Sequence, residues 1–409
     1  MTNRRTLLKA AALSIPASQM ITTPVKAQAV YQTPKTFKRD YFKELGVTPF
    51  INAAGGYSAY GGARMRPEVA EAIRYGTYNK AKVSDLHNAV GKRIAELVGC
   101  EAAMVTSGAT ASMVLGSAAC MTRGDKEKIE MLPTTTGMAN EVIIQKNHRY
   151  TYDRALIAAG AVLREVANEA ELIDAIENGN PAMMFWLLAN HNPAGDNIPM
   201  DRYLEIAGQY NIPTFLDGAT MTPPASNVVD ACKLGFDMVG FSGGKGLRGP
   251  YSAGLLLGNA DYIAHARANN SPNSRALGRG MKVAPEEYLG MMVALEVGLK
   301  ASQEDDFKEK REIFERMITE IGDIPSLKSE IIVEEGMVAE MYLDLEWDQN
   351  VIKLTPEDFV NYLATGTPSI RIRMLKFSGG RINFSATVLS AGQEITVGKR
   401  VREVLMGQI

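Results

Sequence analysis

The most chemically suggestive segment of the chain is a lysine set among glycines, Phe241-Ser242-Gly243-Gly244-Lys245-Gly246-Leu247-Arg248-Gly249-Pro250. It follows an apolar run at 237–242 that reads as a strand, so the Lys245 amine sits at the carboxyl edge of a sheet, where α/β folds bind ligands. A phosphate-cradling Walker loop needs a glycine, four residues, then Gly-Lys-Ser/Thr. Val239 stands at the first glycine position and Gly246 follows the lysine, so that motif fails. A lysine that forms a Schiff base fits better, because desolvation in such a loop lowers amine basicity and makes the nitrogen nucleophilic.

Asp217 ends a second strand, Pro213-Thr214-Phe215-Leu216-Asp217. A carboxylate buried there costs several kcal/mol unless a cation faces it. The pyridinium nitrogen of pyridoxal 5′-phosphate (PLP) is such a cation, and the carboxylate in turn keeps that nitrogen protonated. Helix capping beside Gly218 is the plainer alternative. A third segment, Thr106-Ser107-Gly108-Ala109-Thr110, joins a strand to a helix. Amides at a helix N-terminus, with Ser and Thr hydroxyls, suit a phosphate dianion. Ser242 is placed to add another hydroxyl.

Together these segments resemble the family that includes selenocysteine synthase (seryl-tRNA selenium transferase) and D-glucosaminate-6-phosphate ammonia-lyase. The matching stretches are Phe50-Ile51-Asn52-Ala53-Ala54-Gly55-Gly56, residues 101–111, Asp217-Gly218-Ala219 with Pro223-Pro224, residues 241–250, and Gly278-Arg279-Gly280-Met281-Lys282-Val283. The resemblance runs over most of the chain and is most specific at the lysine segment. It implies an α/β, PLP-dependent transferase fold: a mostly parallel, seven-stranded-type sheet in a large domain, with a small C-terminal α+β domain. It also implies Lys245 as the catalytic Schiff-base lysine and Asp217 as the pyridine partner. Ser107, Gly108, Ala109 and Ser242 complete the expected cofactor set, and His148, by its position after a strand, is expected to cover one face of the ring. In this fold class a small-domain arginine clamps the substrate carboxylate, which points to Arg371 ahead of its neighbour Arg373. Arg248 and Arg279 are further cations for an anionic substrate, and Tyr57 and Tyr60 are placed to reach across a dimer interface. His191 follows a strand and is a weaker candidate; His87 and His265 read as structural.

Two departures shape the expected function. Selenocysteine synthases carry an N-terminal tRNA-binding module, whereas only about 20 residues separate the expected cleavage site from the first matching motif, so tRNA work is not expected. Ala284-Pro285 also stands where lyase-like relatives tend to have Gly-Lys. The expected activity is therefore that of a PLP-dependent carbon–nitrogen lyase. It eliminates from a hydroxy amino acid or amino-sugar acid to give a 2-keto acid and ammonia. Racemisation or aldol cleavage at the same carbon are the enzymatic alternatives, and an inert exported binding protein or a selenium transferase the alternatives of another class. Homodimers or larger homo-oligomers are expected.

The positioning elements alternate. Strands are expected at 102–106, 141–145, 161–166, 182–188, 213–217 and 237–242, with an antiparallel one at 252–258. Helices are expected at 109–120, 171–177, 200–210 and 228–235. Strand–helix alternation argues for a helix-covered, mostly parallel sheet. Beyond 286 the pattern changes to a long helical segment reaching about 321. Strands follow at 330–334, 338–346, 369–374 and 381–385, with helices at 356–365 and 392–406. The expected division is a large PLP-binding domain at 49–290 and a small domain at 291–409.

The N-terminus carries Asn3-Arg4-Arg5-Thr6-Leu7-Leu8-Lys9, a short apolar run at 10–15, and Ala27-Gln28-Ala29. That order reads as a twin-arginine export leader at 1–29, cleaved near Ala29, followed by an arm at 30–48, with the mature protein in the periplasm. The run is too short to span a bilayer. Elsewhere, 44 basic against 46 acidic residues give a net charge of -2, which lacks the electrostatic footprint of a nucleic-acid binder. Cys100, Cys120 and Cys232 show no metal-ligand spacing and read as buried apolar residues.

Overall fold

The computed structural model describes residues 39–188, 196–334, 336, 338–374 and 381–407. The export leader, most of the arm and His191 lie outside the described residues. The strands in chain order are β1 (Phe50–Asn52), β2 (Ala102–Thr106), β3 (Glu141–Gln145), β4 (Val162–Val166), β5 (Pro181–Leu187), β6 (Thr214–Asp217), β7 (Met238–Ser242), β8 (Gly254–Gly258), β9 (Lys328–Glu334), β10 (Glu340–Glu346), β11 (Ser369–Arg371), β12 (Arg373–Met374) and β13 (Ile382–Ser385).

Seven of them form one sheet in the order β2-β8-β7-β6-β5-β3-β4. The pairs from β7 through β6, β5 and β3 to β4 are parallel, and β8 runs antiparallel to both of its neighbours. Successive residues feed opposite cores. Ile143, Met184, Trp186 and Val239 pack on one face, while Ile144, Met183, Phe185 and Met238 pack on the other. Burial on both faces is why these strands are continuously apolar rather than alternating. The helix Gly108–Thr122 is apolar all round and buried from Ala111 to Thr122, as a helix lying under a sheet must be.

A four-stranded antiparallel sheet, β12-β13-β10-β9, forms the C-terminal part. Its core joins Phe314, Leu343, Phe384 and Val401 with Ile51 and Ala53. β1 pairs in parallel with β11, Ile51 opposite Ile370. The segment at 50–53 thus packs with the C-terminal part, although the sequence groups it with the large domain. The long helical segment expected from 286 divides into Pro285–Lys300 and Gln303–Ile321. Ser302 starts the second helix: its hydroxyl accepts the Asp305 N–H at 3.3 Å, and Glu304, Asp305 and Asp306 occupy the first turn. The strand expected at 369–374 is interrupted at Ile372, so Arg371 and Arg373 belong to different sheets.

His87 shows how one polar group is used structurally. It sits on the helix Val83–Val98, 2% exposed, stacked at 4.3 Å on Tyr288, and its Nε2 accepts the Val105 N–H at 3.0 Å. Burial first, then the positive charge of Arg267, pushes the imidazole from 6.5 down to about 3. The folded ring stays neutral while the unfolded one takes a proton below 6.5, so its contribution is complete above 6.5 and lost as pH falls towards 3. The loss is on the order of 5 kcal/mol. His87→Gln keeps an acceptor for Val105 without the titration. Its urea midpoint is expected to fall less steeply than the wild type's between pH 6.5 and 4; equal slopes would overturn this account.

Candidate active site

The carboxyl ends of β2, β3, β6 and β7 converge on a cavity of about 350 Å³, room for a pyridine ring and a small substrate. It brings together Lys245, Asp217, Ser107, Gly108, Ala109 and Ser242. The lysine loop is a tight turn: the Gly249 N–H donates to the Gly243 carbonyl at 2.9 Å and the Arg248 N–H to the Lys245 carbonyl at 2.9 Å. Gly246 is required there, since a Cβ would lie 2.1 Å from the Pro223 nitrogen. That contact seats the lysine loop directly on the peptide that follows Asp217. Gly254 likewise lets β8 pass the Ser107-Gly108 turn, where a Cβ would lie 2.6 Å from the Gly108 carbonyl carbon.

The helix Gly108–Thr122 begins at the cavity wall. Ser107 stands at its N-cap position with no side-chain capping bond, so its hydroxyl is not consumed by the helix. The first-turn amides and this hydroxyl together form an anion cradle.

Asp217 is 3% exposed. Its Oδ1 accepts the Ala219 N–H at 3.0 Å, and its Oδ2 accepts the Tyr150 hydroxyl. Burial pushes this carboxyl up; the hydrogen bonds from Tyr150 and Ala219 and the nearby Lys245 oppose that. Burial in turn lowers the Lys245 amine, with Asp217 opposing. Tyr150 is raised by burial and by the Asp217 charge, so its phenol stays a donor. Its hydroxyl also lies 3.3 Å from Met113 Sδ.

His148 is placed differently from the expectation. It closes a short turn, Lys146–His148, and is fully buried: Nε2 lies 2.7 Å from Asp196 Oδ1, Nδ1 accepts the Leu187 N–H at 3.4 Å, and the ring stands edge-on to Trp186. The turn directs the imidazole inward beside β5, and Tyr150, two residues on, reaches the cavity instead. The four residues expected at the substrate do not line this cavity either. The Arg371 guanidinium lies 5.8 Å from the Phe50 ring centroid, while that of Arg373 lies 5.9 Å from those of Tyr57 and Tyr342. Arg248 donates from Nε to the Arg64 carbonyl at 3.0 Å and lines a neighbouring cavity with Glu309 and Lys310. Arg279 and Tyr57 are exposed, although Gly56 and Ser58 beside Tyr57 do line the site.

Sequence reasoning passed over Tyr150, Tyr152, Tyr251 and Ser252, all on the cavity wall, while Thr110, part of the expected phosphate segment, lines it too. Tyr150 and Tyr152 were signalled by their place in the same post-strand segment as His148. Among the described residues no group of His, Cys, Asp or Glu is arranged to hold a metal, and no helix is long and apolar enough to cross a membrane.

A buried carboxylate held by a phenol and one amide, a lysine whose charge burial disfavours, and an uncapped helix N-terminus fit the three poles of PLP: pyridine nitrogen, aldehyde and phosphate. Fold and site define a PLP-dependent enzyme of the aminotransferase-like fold (fold type I). The family model of β-eliminating lyases matches residues 59–326, and the chain belongs to that family.

The chain is 26% identical over 375 residues to a 5′-C-glycyluridine monooxygenase-decarboxylase of a Streptomyces species, covering 89% of this chain and 92% of that protein. It is 24% identical over 372 residues to the D-glucosaminate-6-phosphate ammonia lyase of Salmonella typhimurium, covering 89% and 97%. A solved structure of a D-glucosaminate-6-phosphate ammonia-lyase superposes with a TM-score of 0.81 at 22% identity, over 91% of this chain and 100% of that one.

Proposed function

We propose that this lyase releases ammonia from an unphosphorylated β-hydroxy amino acid, with a D-configured polyhydroxy acid such as D-glucosaminate first in line. The carrying observation is the pairing of Lys245, whose neutral form burial favours, with the buried Asp217 on one cavity wall. Bound PLP supplies an electron sink for the bond broken at the substrate's α-carbon. Lys245 would hold the cofactor and, as a neutral amine, would take the α-proton of the substrate. Asp217, held in place by Tyr150 and Ala219, would keep a proton on the ring nitrogen. The Ser107-Gly108-Ala109 turn and Ser242, which line the cavity, would anchor the cofactor's phosphate. The proton taken by Lys245 would leave with the β-hydroxyl as water, and hydrolysis of the dehydrated product would give the 2-keto acid and ammonia.

The ammonia lyase among the relatives supports the reaction class. Ala284 and Pro285 open the helix Pro285–Lys300 and supply no cation there, which supports a substrate without a phosphate. Export by the twin-arginine route, which we also propose, agrees with this, since unphosphorylated small molecules predominate in the periplasm. We read the exposed Tyr57 as a contact to a second copy of the chain.

The test is a coupled ammonia assay on fractionated cells and on purified enzyme sized by light scattering. D- and L-β-hydroxy amino acids are compared with D-glucosaminate, with and without a 6-phosphate. Ammonia from the unphosphorylated acid in the periplasmic fraction is the expected result. Solvent deuterium at the α-carbon with racemisation and no ammonia would replace the lyase reading with a racemase.

A further inference from the structure

The cavity that Arg248 lines, of about 80 Å³, shares no lining residue with the one that holds Lys245 and Asp217. One wall comes from Gly246 and Arg248 of the lysine loop and from Pro223-Pro224 beyond Asp217. The other comes from the helix Gln303–Ile321, through Asp306, Phe307, Lys310 and Ile313, and from Ala386 and Leu389 after β13. Space of this size holds roughly five waters or one short organic acid. Lys310 is its unusual member. The side chain is 5% exposed, yet its ion pair with Asp306, at 2.7 Å, engages one of the three donors of the ammonium. The same Nζ lies 5.8 Å from the Phe307 ring centroid, so the group stands between an acid and an apolar surface. A buried ammonium whose other donors meet no acceptor carries an uncompensated desolvation cost.

We propose that this cavity binds a small aliphatic carboxylate, its charged group on Lys310 and its carbon chain against Phe307, Ile313 and Leu389. The lining brings three cations, Arg66, Arg248 and Lys310, to two acids, Asp306 and Glu309, and that surplus selects an anion. The apolar wall selects an anion that carries carbon, which phosphate and chloride do not. The volume limits the ligand to a short chain. Occupancy has a structural consequence. Arg66 Nη1 donates to the Leu247 carbonyl at 2.9 Å and Arg248 Nε to the Arg64 carbonyl at 3.0 Å, so both arginines already tie the lysine loop to the segment at 64–66. A carboxylate beside them touches that loop and the helix Gln303–Ile321 at once, and braces the C-terminal part against the segment that carries Lys245. It reaches neither Lys245 nor Asp217, so the site is regulatory by position and does not depend on which reaction the first cavity performs.

The experiment titrates butyrate into native holoenzyme in a calorimeter. Butyrate has no amine, so it cannot exchange with the lysine on the cofactor. Saturable binding to one site per chain is expected, with inorganic phosphate at equal concentration failing to displace it. Lys310→Met keeps an unbranched apolar stem and removes the charge. It should weaken butyrate at least tenfold, whereas binding in the first cavity would not respond to it. Ala301→Leu tests the same site without touching a charge: the position is exposed and lines the cavity, so the larger side chain narrows it and should weaken binding by a similar factor. It decides the matter if Lys310→Met does not fold. No saturable heat from the wild type, unchanged affinity in either folded variant, or phosphate competing as well as butyrate would overturn the proposal.

Discussion

Lys245→Ala is expected to stop ammonia release, with a loss of roughly four orders of magnitude or more, since in the proposed reaction one residue both holds the cofactor and moves the α-proton. The fold should survive. The loop's path is set by backbone hydrogen bonds around Gly243 and Gly249 and by the packing of Gly246 on Pro223, none of which uses the lysine side chain. Removing an amine whose charge is disfavoured by burial also takes away an unfavourable term. Borohydride treatment of the wild type should fix pyridoxyl mass on the peptide containing Lys245 and leave no such label in the variant. A small primary amine added to the variant should restore part of the proton transfer. Label on a different lysine, or a variant that keeps near-normal turnover, would remove Lys245 from its role.

Asp217→Asn is expected to separate cofactor binding from stability. The amide oxygen can still accept the Ala219 N–H and the amide nitrogen can donate to Tyr150, so the local geometry is retained. What disappears is the charge proposed to face the pyridine nitrogen. Breaking a buried ion pair by neutralising one member costs about 3–5 kcal/mol, or roughly two to four orders of magnitude in cofactor affinity and turnover together. Without the cofactor the sign reverses. Burial already raises the Asp217 carboxyl, so a neutral isostere should melt at the same temperature as the wild-type apoprotein or higher. The two readouts are PLP titration by absorbance and thermal melting of the PLP-free protein. If the variant binds PLP as tightly as the wild type, Asp217 is not the pyridine partner.

Much of this architecture is legible in the residues because strands buried on both faces announce themselves. EVIIQ at 141–145 and AAMVT at 102–106 leave little else to be. The cavity-lining residues are legible for a related reason: Asp217 ends β6, Ser107 follows β2 and Lys245 lies three residues past β7, and strand ends meet on one edge of a parallel sheet. What stays hidden depends on side-chain direction outside regular elements. His148 and Tyr150 occupy the same post-strand segment, and only the short turn at Lys146–His148 decides which ring points inward and which into the cavity. Arg371 and Arg373 share a face if one strand runs through both. The interruption at Ile372 sends them to separate sheets, and alternation cannot foresee that. The Tyr150–Asp217 bond joins residues from two different strand ends, a partnership no local pattern contains.

The parallel pairing of β1 with β11 has a consequence for the order in which the protein is built. Residues just after β1, including Gly56, Ser58 and Gly62, line the cavity, yet β1 itself is anchored to a strand near the other end of the chain. During synthesis the seven-stranded sheet between 102 and 258 can close while this early segment has no partner. A contact so distant in sequence forms late, because its loop-closure entropy must be met before the pairing rewards it. The wall of the cavity is thus finished only once the C-terminal sheet has left the ribosome, which makes cofactor capture a report on the completed polypeptide rather than on the sheet alone.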